Sequence, residues 1–184
     1  MPSMATYLKR SSLAAAIIVA IIGASAASEP PRFTDAIDPF SYCADIRTTD
    51  SPAGGTGPSP VPRALEPYLP AALGLPTGAA IAAGSAYWRC MDRMVYVCVT
   101  GANLVCDRKA DRATTNAGAD SFCRDNPEAA AVPAYATGHD SVYTWHCRAG
   151  RSLHGEPSVA LDRRGFRIDI WHKISRAQGT AERP

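Results

Sequence analysis

The segment Ala86-Tyr87-Trp88-Arg89-Cys90-Met91-Asp92-Arg93-Met94-Val95-Tyr96-Val97-Cys98-Val99 decides the fold. Aromatic and β-branched residues flank a short polar break at Asp92-Arg93, the pattern of two antiparallel strands joined as a hairpin. Side chains alternate along a strand, so Trp88 and Cys90 share one face of the first strand. A cysteine beside a tryptophan on one strand face points to a buried core. The same reading predicts a third strand at Val142 to Arg148, with Tyr143, Trp145 and Cys147 on one face. A fourth at Ser158 to Leu161 and a fifth at Phe166 to Ile174 follow, joined by the turn Asp162-Arg163-Arg164-Gly165.

Outward from the hairpin, Phe33, Ile37, Phe40, Cys43 and Ile46 recur at helical spacing and predict a short helix over 38–47, with Pro39 in its first turn. A second helix is expected over 63–73, stopped by Gly74 and interrupted by Pro67 and Pro70. A third, over 114–124, carries Cys123 and ends at Asn126-Pro127. Residues 50–62, rich in glycine and proline, read as a long surface loop. Helices come first, then a largely antiparallel sheet of about five strands with one helix inserted, so the class is α+β.

Lys9 and Arg10 precede an apolar run from Leu13 to Ile22 and the small residues Ala24-Ser25-Ala26, the three regions of a secretory signal peptide. The run is roughly half the 20 or so residues a spanning helix needs. We expect residues 1–26 to be a leader cut between Ala26 and Ala27, and residues 27–184 to form one mature domain, periplasmic or secreted. Losing Lys9 and Arg10, with no acidic residue, takes the formal charge from +2 to zero. No overall field then steers the mature chain to nucleic acid or to an anionic membrane.

The six cysteines, Cys43, Cys90, Cys98, Cys106, Cys123 and Cys147, all lie beyond the expected cleavage point. An even count in an exported chain points to three disulfides, and no Cys-x-x-Cys pair suggests a zinc site or a redox centre. Fifteen pairings are open. Cys106 with Cys123 is the preferred pair, because these residues flank the loop into the third helix. Cys90 would pair with Cys147 if the first and third strands were neighbours, leaving Cys43 for Cys98. No cofactor or metal is expected.

Tyr42-Cys43-Ala44, Trp88-Arg89-Cys90-Met91-Asp92, Gly101-Ala102-Asn103-Leu104 with Cys106, Thr137-Gly138-His139-Asp140 and Gly165-Phe166 with Ile170-Trp171 together resemble a family of uncharacterised bacterial secreted proteins, over most of the mature chain. The resemblance supports the fold and implies no activity. Its members tend to carry Asp-Gly-Lys at the first hairpin turn, where this chain has Asp92-Arg93-Met94. Without the glycine, the left-handed position of a two-residue turn would carry a side chain, which argues against the tightest hairpin there.

One constellation suggests catalysis. If the second and third strands were neighbours, Thr100-Gly101-Ala102-Asn103 and Thr137-Gly138-His139-Asp140 would be adjacent loops. His139 would then be a general base, Asp140 its orienting carboxylate and Asn103 a polar donor, with Asp107 and Lys109 nearby. The same residues are also ordinary turn chemistry around glycine, and no nucleophile motif accompanies them. His146 should point outward with Thr144, His172 shares its parity with Phe166, Ile168, Ile170 and Ile174, and His154 sits in a loop. Arg148, Arg151, Arg163, Arg164 and Arg167 read as a solvated face balanced by Glu156, Asp162 and Asp169, which could also meet an anionic glycan, phosphate or protein. Two function classes follow: a non-catalytic binding or inhibitory module of the cell envelope, whose partner is a protein or an envelope polymer, and a small hydrolase or transferase centred on His139 and Asp140. The first is preferred, because a rigid stapled sheet displays loops well and the chain offers few catalytic groups.

Overall fold

A computed structural model describes residues 31–76, 78–101 and 104–179. The expected leader, residues 1–26, lies outside the described residues, as does Asn103. The fold is α+β, built on two antiparallel sheets and stapled by three disulfides.

The deciding segment folds as read, with β2 (Ala86–Met91) and β3 (Met94–Val99) paired antiparallel along their whole length. Their connection is the two-residue turn that the missing glycine argued against: Asp92 and Arg93 both adopt left-handed backbone, at φ 52° and 68°. Tertiary hydrogen bonds offset that strain. The Asp92 N–H donates to Thr48 Oγ1 at 3.1 Å, the Arg93 N–H to the Arg47 carbonyl at 2.8 Å, and the Arg93 guanidinium to the Ala44 carbonyl at 3.2 Å. β1 (Ser59–Pro60) adds an edge to β2, and β6 (His172–Ile174) adds one to β3, giving the order β1-β2-β3-β6.

Both faces of this sheet are covered, each in the parity the sequence implies. Trp88 and Cys90 face α1 (Pro39–Ile46), where Phe33, Tyr42, Leu65, Val95 and Val97 complete the main core. Asp38 caps α1 by accepting from the Ser41 N–H at 2.8 Å, and Pro39 enters at the first helical position, where a missing N–H costs nothing. On the opposite face, Cys98, Cys106, Phe166, Ile170 and Trp171 form a second core with Tyr87 and Tyr96. The expected second helix is instead a 3₁₀ segment, Arg63–Tyr68, running into α2 (Leu69–Ala72); Pro67 and Pro70 remove the N–H groups a continuous helix would need.

The second sheet is a separate hairpin, β4 (Tyr143–Arg148) with β5 (Arg151–Pro157). α3 (Ala117–Asp125) packs on one face of it, and α4 (Ala134–Thr137) packs on α3. Ala119, Cys123, Val132, Trp145 and Cys147 form this third core. Asn116 caps α3 through the Ala119 N–H and also donates to the Thr137 carbonyl at 2.6 Å, which ties the two helices together.

Several expectations are corrected. Ser158 to Leu161 is not a strand and only Leu161 bridges Arg167, whereas Arg151–Pro157, read as loop around His154, is β5. Phe166 to Ile174 is not one strand, because a 3₁₀ turn at Ile168–Ile170 interrupts it before β6. The loop at 50–62 contributes β1. The preferred Cys106–Cys123 pair and the conditional Cys90–Cys147 and Cys43–Cys98 pairs are all replaced, because β2 and β4 lie in different sheets and each bridge closes within one core: Cys43–Cys90, Cys98–Cys106 and Cys123–Cys147. No cysteine is free, in keeping with an oxidising compartment outside the cytoplasm. Among the described residues no helix is long and apolar enough to cross a membrane.

Candidate functional site

The loop Thr137-Gly138-His139-Asp140 leaves the C-terminus of α4 and enters β4 through Ser141 and Val142. Backbone bonds fix it to the chain after β3: the Asp111 N–H donates to the Asp140 carbonyl at 2.7 Å, and the Val142 N–H to the Asp111 carbonyl at 2.9 Å. β3 and β4 are therefore not neighbours, yet the two loop regions still meet. Leu104, Gly138 and His139 line one open cleft of about 440 Å³ with Tyr143, Trp145, Ser158 and Arg167.

Within that cleft His139 and Asp140 do not converge, and Asn103, the third candidate, lies outside the described residues. His139 is a wall residue whose Nδ1 is buried without a hydrogen-bond partner. Asp140 is not part of the wall, and its carboxylate folds back over Gly138, where Oδ1 lies 2.9 Å from where a Cβ would sit. No hydrogen bond joins His139 to Asp140. Gly138 has φ 90° and ψ 149°, backbone essentially reserved for glycine. Gly138→Ala combines this strain with the carboxylate clash, so it is expected to destabilise the protein by about 1–3 kcal/mol, read as a lowered denaturation midpoint. An unchanged midpoint would mean that the loop is not held as described.

Sequence reasoning missed the hydroxyls beside His139. Ser141 Oγ donates to the Tyr143 carbonyl at 3.3 Å and accepts from Trp145 Nε1 at 3.1 Å, while Ser158 Oγ donates to the Val142 carbonyl at 3.1 Å. Each serine proton is committed to backbone, so neither hydroxyl is paired with an imidazole that could remove it. Their signal in the sequence was slight: Ser141 directly follows the His-Asp pair, and Ser158 lay inside a presumed strand. The other histidines form no constellation with His139. The His154 ring lies tilted against that of Tyr143, centroids 4.5 Å apart, and His172 is paired opposite Val97 at the sheet edge. Among the described residues no group of three or more His, Cys, Asp or Glu side chains could hold a metal ion.

The C-terminal arginines are mostly partnered. Arg164 forms a forked pair with Asp50 at 3.0 and 2.8 Å, joined by Lys109 at 3.3 Å. Burial pushes the Asp50 carboxyl up, but hydrogen bonds from Arg164 and Lys109 outweigh it and hold the group below the usual carboxylate range. Arg163 pairs with Asp92, and Arg167 with Asp169 at 2.7 Å. Asp162, expected to balance the surface, instead pairs with buried Arg89. Arg148 and Arg151 have no ion pair among the described residues. No protein-family model, curated protein or solved structure matches this chain.

Proposed function

We propose that the mature chain is a non-catalytic binding or inhibitory module of the cell envelope, periplasmic or secreted, and a member of the uncharacterised secreted family its segments resemble. The module takes a segment of a protein or envelope polymer into the cleft beside His139. One observation carries the reading: the cleft places His139 among hydroxyls already bonded to backbone and without its carboxylate, so it offers contact surface and no poised proton transfer. Apolar Leu104 and Tyr143 beside polar Ser158 and Arg167 suit recognition, with apolar area for affinity and a few polar groups for orientation. The leader-like N-terminus and the complete oxidation of the cysteines support export.

The test uses a photo-crosslinking amino acid at Tyr143 in the producing cell. A discrete adduct is expected, and it should disappear when Ser158→Trp fills the cleft. His139→Ala should change stability by no more than about 1 kcal/mol and leave the adduct in place. The reading fails if the purified protein hydrolyses an ester, amide or glycoside and His139→Ala lowers that rate about 100-fold or more with the fold intact.

A further inference from the structure

We propose that the outer face of the β4–β5 hairpin is a docking face for a linear carboxylated polysaccharide. The register places Arg148 opposite Arg151, His146 opposite Leu153, and Cys147 opposite Ser152. Cross-strand partners project to the same side, and successive pairs alternate sides. Cys147 and Ser152 face α3, through the disulfide to Cys123 and the hydrogen bond from Ser152 to Asp120. Arg148, Arg151, His146 and Leu153 therefore share the opposite face. Arg148 and Arg151 are exposed, and Leu153 is 41% exposed.

The composition of this face runs against stability. Two like charges directly opposite each other in an antiparallel pair, with Cβ atoms about 4.5–5.5 Å apart, repel. The turn that joins them holds Ala149 at φ 50° through hydrogen bonds from the Ala149 N–H to Glu128 Oε1 at 2.9 Å and from the Gly150 N–H to the Pro127 carbonyl at 3.1 Å, so the turn itself is supported. Elsewhere in the molecule Arg163, Arg164 and Arg167 each have a carboxylate partner, whereas Arg148 and Arg151 form no ion pair among the described residues. A like-charge pair kept directly opposite without an ion pair marks a place where something outside the chain supplies the missing interaction.

Charge complementarity makes the occupant an anion, and two guanidinium groups side by side match the forked geometry of carboxylates. The size of the face makes it a linear polymer: two strands about 4.8 Å apart offer far less than the ~800 Å² per partner of a standard protein interface. Leu153 beside the cations chooses the carrier, because the apolar C–H face of a sugar ring can cover an aliphatic side chain and a polyphosphate cannot. The face is distinct from the His139 cleft, and the proposal holds whether or not the cleft is filled.

The experiment titrates the mature, oxidised protein with polygalacturonate, over a range of salt concentrations, against neutral dextran. Polygalacturonate should bind, more weakly as salt rises, and dextran should not. Arg148→Gln with Arg151→Gln should weaken binding about tenfold or more while the melting temperature holds or rises, because a repulsive pair is removed. Arg63→Gln with Arg108→Gln, which removes the same charge from exposed sites elsewhere, should change binding less than about threefold. Leu153→Ser should weaken polygalacturonate binding. Three results would overturn the proposal: a loss in the control equal to that in the hairpin variant, an unaffected hairpin variant, or tighter binding of polyphosphate or polyglutamate than of polygalacturonate.

Discussion

Replacing Cys43 and Cys90 together by alanine is expected to be the most damaging disulfide removal. This bridge spans 47 residues, against 24 for Cys123–Cys147 and 8 for Cys98–Cys106. Chain-entropy reasoning gives about 4, 3.5 and 2.5 kcal/mol respectively, because a longer closed loop restricts the unfolded chain more. Packing sharpens the order. Cys43 and Cys90 are fully buried in the main core with Trp88, Leu65 and Val95, so truncation also leaves a void there. In a domain of this size a loss of about 4 kcal/mol lowers the melting temperature by roughly 8–16 °C. Non-reduced thermal melts of the three double-alanine variants give the ranking directly. A Cys98/Cys106 variant melting below the Cys43/Cys90 variant would refute it, as would peptide mapping that links Cys90 to Cys147.

What could be read from the sequence follows the boundary between local and non-local causes. The β2–β3 hairpin, α1 and α3 were legible because each carries its own signal: β-branched and aromatic runs, apolar residues at helical spacing, a proline at the first position, a cap. Parity along β2 also placed Trp88 and Cys90 in the core correctly. β5 was hidden because Gly155, Glu156 and Pro157 are poor strand formers, and its extended conformation comes from pairing with β4. The cysteine pairing failed on two premises: closeness in the chain suggested Cys106 with Cys123, and a supposed adjacency of β2 and β4 suggested Cys90 with Cys147. The approach of the two candidate loops was expected for a reason that does not hold. It is the bridge between Asp111 and Ser141, not strand adjacency, that brings His139 near Leu104. No sequence signal showed that the Asp140 carboxylate turns over Gly138, because that depends on the glycine's backbone angles.

Arg89→Ala is expected to cost about 3–5 kcal/mol, as the removal of one partner from a buried ion pair does. The Arg89 side chain is 1% exposed and its Asp162 partner 7%. The guanidinium carbon lies 4.3 Å from the Phe166 ring centre and 4.7 Å from that of Trp171, with Tyr96 at 5.7 Å. Burial pulls the arginine below its usual range and the Asp162 carboxylate pushes it back up. Asp162 in turn shapes the Asp162-Arg163-Arg164-Gly165 turn, its Oδ1 accepting from the Arg164 N–H at 2.7 Å and the Phe166 N–H at 3.0 Å. Removing the arginine thus strands a buried carboxylate, opens space between two aromatic rings and loosens the turn that positions Phe166. The segments Trp88-Arg89-Cys90, Gly165-Phe166 and Ile170-Trp171, far apart in the chain, are one physical unit for this reason.

A second variant relieves the stranded charge and refills the cage together. Arg89→Met with Asp162→Asn keeps an oxygen acceptor for both turn N–H groups and fills the aromatic cage with an apolar chain, so it should recover most of the loss. Denaturant melts give both values, and tryptophan fluorescence reports the cage through Trp171. A cost below about 1 kcal/mol for Arg89→Ala would show that the pair is not buried as described. A double variant no better than Arg89→Ala would show that neither the stranded carboxylate nor the emptied cage accounts for the loss.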